Sequence, residues 1–216
     1  MFFYILVEGS SDVPGVREIL KRRFGLKEKR DFHIHPHQGK GRLPENFFVK
    51  PNPRHRGLLS QLPAKLRAFG SWKRACVVVL LDADCDDCRE LKQSLVDMYK
   101  SLDQKPACVL FRIAVEELES WWIADPQAVK AAYPSANVSG IETIPPDSVV
   151  GAWEELAIAV GKVPERARRD KKTWARRIAP HVALKPAKSP SLRAFVDGMA
   201  RLIREYRQKT LSRKSF

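Results

Sequence analysis

The chain has 216 residues, 44% of them apolar, and carries a net charge of +14 at neutral pH. That length buries a hydrophobic core without disulfide or metal staples, and no run approaches the ~20 apolar residues of a membrane span. Only six apolar residues follow Met1 and no basic leader precedes them, so the sequence is expected to be cytoplasmic, with neither signal peptide nor membrane partner. The charge is unevenly spread: residues 21–74 carry +12 and residues 162–216 carry +13, while residues 75–161 carry −9. An acidic centre flanked by basic segments suits a phosphate-bearing polyanion such as DNA or RNA, bound in a salt-sensitive way.

Phe2–Val7 is apolar and β-prone and predicts a buried first strand. Glu8-Gly9-Ser10-Ser11 then turns the chain into a helix over Asp12–Phe24, with Val13, Val16, Ile19, Leu20 and Phe24 on one face. Phe32–Pro36 predicts a second strand, and His33, His35 and His37 alternate along it, all toward one face. Three ligands from alternate strand positions rarely converge on one metal. The histidines are therefore read as a strand face, with His37 also placed to touch phosphate or move a proton. His37 runs into Gly39-Lys40-Gly41, a flexible cationic loop without the long spacing of a P-loop. Residues 42–57 form a Pro-rich loop in which Arg42, Lys50, Arg54 and Arg56 suit phosphates; Phe47 and Phe48 either stack bases or fasten the loop to the core. Residues 58–69 predict a second helix.

Residues 76–81 form an unbroken Val-rich run, as in a strand buried on both faces of a parallel sheet. Asp82 and Asp84 follow it. Period-2 alternation points both carboxylates the same way from the carboxyl end of the strand, the edge where open α/β sheets place ligands. In a 2-1-3-4 strand order Glu8 faces them. Carboxylates forced together repel unless a cation or proton sits between them, and Mg²⁺ or Mn²⁺ suits such a site. Asp86 or Asp87 suffices to cap the next helix, over residues 90–102. Cys85 and Cys88 have redox-motif spacing, but neighbouring acids disfavour a thiolate, and all four cysteines are expected as reduced structural thiols.

Residues 107–115 predict a fourth strand, and Glu116, Glu117 and Glu119 open the helix that leaves it. They either complement its dipole or complete a metal shell at the same sheet edge. Helices are expected over residues 126–133, 147–160 and 166–178. The last of these carries Arg168, Arg169, Lys171 and Lys172 as phosphate contacts. A final helix starts at Ser189-Pro190 as N-cap and first turn, and residues 207–216 read as a basic flexible tail. Strand–helix alternation argues an α/β fold with a parallel sheet of about four strands flanked by helices. The expected division is residues 1–125 as a catalytic α/β domain and residues 126–206 as a helical extension packed on it.

The motifs LVEGSSD at the first strand end and LLDADCD at the third resemble the two signatures of the Toprim domain, found in topoisomerases, bacterial primases and OLD-family nucleases. The stretch from Val115 to Asp125, His37-Gln-Gly-Lys-Gly41 and Ser189-Pro-Ser191 resemble one group within it. That group comprises small stand-alone bacterial Toprim-like proteins described as a domain of unknown function, some encoded beside ATPases in mobile or defence loci. The resemblance implies a Toprim-like, Rossmann-like fold and a metal-dependent nuclease. It implies Asp82 and Asp84 as catalytic metal ligands and Glu8 as metal ligand or general acid/base; from their place at the same edge, Glu119 is read as a further ligand and Asp12, Glu116 and Glu117 as less central ones. It also admits a nearby-encoded ATPase as partner. The alternative reading is a non-catalytic nucleic-acid-binding or ATPase-associated subunit whose acids are scattered or ion-paired.

Overall fold

The third strand, β3 (Ala75–Asp82), is the spine of the molecule. Its first seven residues are buried, and they divide by alternation. Cys76, Val78 and Leu80 enter one hydrophobic core, and Val77, Val79 and Leu81 enter another. The computed structural model describes residues 1–84 and 86–212, the side chains of residues 207 and 209–212 excepted. In it, β1 (Phe2–Val7), β2 (Phe32–Pro36), β3 and β4 (Cys108–Ala114) form one parallel sheet in the order β2-β1-β3-β4. Parallel neighbours require crossover connections, and the intervening helices supply them. This is the expected α/β architecture, and β1 and β3 are adjacent with Leu6 opposite Val79.

One face of the sheet is covered by α2 (Leu58–Gly70) and α3 (Cys88–Ser101), which contribute Leu58, Leu62, Leu66, Leu95 and Met98. The Asp87 side chain caps α3, accepting from the Arg89 and Glu90 N–H groups at 2.7 and 3.0 Å, as its sequence position predicts. The other face carries the larger core. There α1 (Asp12–Phe24) lies beside α4 (Ser120–Ile123), α5 (Pro126–Ala132), α6 (Ser139–Glu142) and α7 (Ala152–Ala159). The short α8 (Pro164–Ala167), α9 (Lys171–Ile178) and the long α10 (Pro190–Ser212) complete that layer. Trp121, Trp122, Trp174 and Phe195 are fully buried in it, each worth roughly 1.5–3 kcal/mol or more in area removed from water. The core runs without a break from the sheet into the residues after 125.

Two hydrogen bonds fix the helical extension: Trp121 Nε1 donates to Ser191 Oγ at 2.8 Å, and Arg112 Nε of β4 donates to the Ala194 carbonyl at 2.7 Å. Within the α/β unit, a Cβ on Gly15 of α1 would stand 2.7 Å from the Trp122 ring, so the glycine admits the indole. Ser189 caps α10 as predicted, its Oγ accepting from the Leu192 N–H at 3.0 Å.

Several boundaries differ from the sequence reading. The helix expected after β4 is a single turn, because Glu116 adopts a positive φ of 61° and breaks the chain out of the strand. The helix expected over residues 147–160 begins only at Ala152, after Gly151 in left-handed geometry. The basic helix expected over residues 166–178 is α8, a 3-10 turn (Arg168–Asp170) and α9 in succession. The tail expected from residue 207 continues α10 through Ser212, and residues 213–216 lie outside the described residues. The cysteines are corrected too. Cys76 and Cys108 sit opposite each other in β3 and β4, with Cα atoms 4.6 Å apart, and are joined by a disulfide. Cys88 is free, and Cys85 lies outside the described residues. No described helix is long and apolar enough to cross a membrane.

Candidate functional site

Strand alternation and helix placement together build an acidic centre at the carboxyl edge of the sheet. Asp82 closes β3 on the face that Cys76, Val78 and Leu80 bury, which is the face covered by α1 and α9. It therefore shares that end of the core with Asp12, the first residue of α1, and with Lys171, the first residue of α9. Glu8 follows β1, and its Oε1 accepts the Asp82 backbone N–H at 2.8 Å. Asp12 accepts from the Gly9 N–H at 2.9 Å and the Ser11 hydroxyl at 3.0 Å, which fixes the turn between β1 and α1. Glu119, only 4% exposed, completes the group from the N-terminal edge of α4.

Four acids in a partly dry site disfavour one another's ionisation. Burial pushes the Glu8 carboxyl up to about 7, against the Asp82 N–H bond, and the charge of Asp84 adds to the rise. Burial, followed by the charges of Asp12, Glu8 and Glu119, holds Asp82 well above the usual carboxylate range. Asp12 is raised by burial, although the Gly9 N–H and Ser11 hydroxyl oppose it. Burial takes Glu119 up to about 8 in spite of Lys171.

A cation from the chain itself sits against this group. Lys171 Nζ lies 2.7 Å from Glu117 Oε2 and 3.1 Å from Glu119 Oε2. Burial alone would lower the Lys171 pKa, but the charges of Glu119 and Glu117 hold it above the ordinary ammonium range. Glu117 is further satisfied by the Trp153 N–H at 2.7 Å. Glu117 and Lys171 are thus an ion pair that joins the sheet edge to the helical layer.

Around the acids lies an open cleft of about 410 Å³, lined by Glu8, Asp12 and Asp82 together with Arg168, Arg169, Lys171 and Lys172. The sequence reading placed these four cations on a path to the acids, and the structure sets them on its wall. Lys171 alone among them is consumed by ion pairs inside it.

Asp84 departs from the expectation. It lies at the same sheet edge, but it adopts a positive φ of 51° beyond the strand end, and alternation holds only while the backbone is extended. Its N–H donates to the Glu116 carbonyl at 2.8 Å. Its carboxylate, 60% exposed, turns to Lys40 Nζ at 3.3 Å. Lys40 also binds Asp86 at 2.7 Å and the Ala83 carbonyl at 2.6 Å, so it clamps the acidic turn. Glu116 stands at the strained turn itself, outside the cleft lining. The cations of the 42–56 loop do not line the acidic cleft: Arg42 and Lys50 line a hollow beside Phe47, and Arg56 lines one beside the histidines. Phe47 packs on the core, whereas Phe48 is half exposed under the Arg67 guanidinium. The Glu117–Lys171 pair was missed because the two residues are 54 positions apart.

The donor set is one of carboxylates whose protons are held by burial first and by neighbouring charge second, the kind of oxygen ligands a hard divalent cation takes. As placed, no group of three or more His, Cys, Asp or Glu among the described residues is arranged to hold a metal ion.

A family model described as "Domain of unknown function (DUF4276)" matches residues 7–200, from the last residue of β1 into α10. The chain belongs to the DUF4276 family. No curated protein and no solved structure matches it. The matched span contains every member of the acidic centre and the four cations on its wall.

Proposed function

We propose that this DUF4276 chain is a Toprim-like, Mg²⁺- or Mn²⁺-dependent nuclease that hydrolyses phosphodiester bonds in DNA or RNA. One observation carries the reading: Glu8, Asp12 and Asp82 share a single open cleft with Arg168, Arg169 and Lys172 at the carboxyl edge of a parallel sheet. Glu8, Asp12 and Asp82 hold the cation, and Asp84 joins from the same edge. When bound, the cation neutralises a phosphate oxygen and acidifies coordinated water. Arg168, Arg169 and Lys172 bind flanking phosphates and position the backbone without reading bases. Where Glu8 instead stays off the cation, its pKa of about 7 suits it to giving or taking a proton near neutral pH. Lys171 holds Glu117 and Glu119 in place beside the acidic cleft.

The test is a nuclease assay on single- and double-stranded DNA and RNA with Mg²⁺ and with Mn²⁺, beside Asp82→Ala and Asp84→Ala. Cleavage that needs the metal and is lost in both variants upholds the proposal. Cleavage that survives in both, or without divalent cation, refutes it.

A second reading has its own support. Lys40 holds Asp84 and Asp86, and Lys171 holds Glu117 and Glu119, so several of the acids are ion-paired. That arrangement favours a non-catalytic nucleic-acid-binding subunit, including one that serves an ATPase. It predicts salt-sensitive binding with no cleavage under any metal.

A further inference from the structure

The 37–39 turn borders two clefts. Gly39 lines the acidic one, and His37 lines another of about 360 Å³ formed with His33, His35, Arg56, Gln61 and Lys65. The acidic site uses none of these six side chains.

Three features of this second cleft go together. Its lining holds no acid. Lys65 makes no ion pair or hydrogen bond among the described residues, and burial lowers its pKa. Glu28, whose charge reaches His33, is engaged by Arg17 at 2.8 Å. The second feature is a pair of idle ring nitrogens: His35 Nε2 and His37 Nε2 are both buried with no hydrogen-bond partner. Buried polar atoms of native proteins are nearly always satisfied, so two of them on one cleft wall mark a place for a ligand. The third is preorganisation. His37 Nδ1 lies 2.9 Å from the Val7 carbonyl, which can only accept, so Nδ1 carries the proton and the ring is fixed with Nε2 free. His33 and His35 rings stand edge to face with centroids 4.5 Å apart.

A fixed imidazole with a free Nε2 also resembles a metal ligand. The charge decides against that. Lys65 and Arg56 line the same cleft and would repel a cation, whereas they attract an oxyanion. We propose that this cleft is a phosphate site, in which Lys65, Arg56 and the imidazoles of His35 and His37 surround one tetrahedral oxyanion.

Binding should take up protons. Burial first, then the charges of His33, Lys65 and His37, hold His35 down at about 4, and burial also lowers His37. An anion in the cleft reverses those penalties, so each ring accepts a proton and Nε2 becomes a donor. Occupancy by a backbone phosphate would place a second contact of the same polyanion one turn away from the acidic centre. That assignment of source rests on the nuclease or nucleic-acid-binding reading, but the site itself does not.

Sulfate is the probe, because it stays a dianion across the pH range in which phosphate titrates. Titration is followed by calorimetry and by the histidine ring NMR signals at pH 5.5 and pH 8, for the wild type, Lys65→Gln, His35→Ala and Asp82→Ala. The proposal expects saturable binding that is at least tenfold tighter at pH 5.5 and shifts His35 and His37. Lys65→Gln and His35→Ala should each weaken it tenfold or more, while Asp82→Ala leaves it unchanged; thermal unfolding checks that each variant folds. Competition by a short oligonucleotide assigns the phosphate to nucleic acid, and competition by a nucleoside monophosphate alone assigns it to free nucleotide. No saturable sulfate binding, or binding indifferent to Lys65→Gln, overturns the proposal. So does Zn²⁺ saturating the same rings when sulfate does not. Loss of cleavage in Asp82→Ala with sulfate binding intact separates this site from the nuclease reading.

Discussion

The backbone N–H of Asp82 donates to Glu8 Oε1 at 2.8 Å, so the end of β3 holds the carboxylate that follows β1. The bond crosses from one strand to its neighbour at the edge where the acids gather. It also sets up a conflict: Glu8 gains a donor but is buried among like charges, and its pKa rises to about 7.

That conflict predicts how stability depends on pH. A carboxyl whose folded pKa lies above its unfolded value binds its proton more tightly when folded. Stability then falls as pH rises through the interval between the two values. For Glu8 that interval runs from its ordinary 4.5 to about 7. The metal-free protein should lose roughly 3 kcal/mol from this group across it. Glu8→Gln should flatten that slope in denaturant unfolding followed by tryptophan fluorescence. Millimolar Mg²⁺ should flatten it also.

Lys171 should matter more than an ordinary surface lysine. Removing its charge leaves Glu119 without its ion-pair partner and Glu117 with only the Trp153 N–H, and breaking a buried pair costs roughly 3–5 kcal/mol. Lys171→Met should therefore be severely destabilised at pH 10, above the Glu119 pKa of about 8, and partly recovered at pH 6, where Glu119 holds its proton. Equal loss at both pH values would show that the lysine contributes packing instead of charge.

The other cations on the cleft wall should report on phosphates. Replacing Arg168, Arg169 and Lys172 together with Ala should reduce the slope of log affinity against log salt by about 2 to 3, at ~0.7–0.9 per contact. The loss should be uniform across sequences. Fluorescence anisotropy over a salt series measures it, and an unchanged slope would mean that this wall meets no nucleic acid.

Gly15 tests the seating of α1 on the helical layer. Its Cβ would meet the Trp122 ring at 2.7 and 2.8 Å, and overpacking of that kind costs about 1–3 kcal/mol. Gly15→Ala should lower the unfolding midpoint accordingly, and Trp122→Phe in the same chain should restore part of the loss.

Much of this arrangement was legible before any coordinates. The limits of β1, α1 and β2 follow from apolar runs and helical spacing, the Val-rich run marks β3 as doubly buried, and its place beside β1 follows from a 2-1-3-4 strand order. With these two strands adjacent, Glu8 and Asp82 had to share one edge. Asp84 was misread because alternation was carried two residues past the strand, where a left-handed backbone turns the carboxylate to Lys40. Glu119 and Lys171 lie far apart in sequence, and only the packing of α9 against α1 brings the lysine to the acids. The Cys76–Cys108 pairing depends on the register of β3 against β4, which periodicity leaves open.

The central claim is that the carboxylates around Asp82 hold a divalent cation that drives phosphodiester cleavage. The most direct measurement is single-turnover cleavage of a labelled oligonucleotide by the wild type and Asp82→Ala, with Mg²⁺, with Mn²⁺ and with chelator, after thermal unfolding has shown that the variant folds. The expected result is cleavage by the wild type only with metal, and a loss of at least a hundredfold in Asp82→Ala with nucleic-acid binding retained. Cleavage that persists in chelator or in Asp82→Ala, or wild-type protein that binds nucleic acid and never cuts it, would contradict the account.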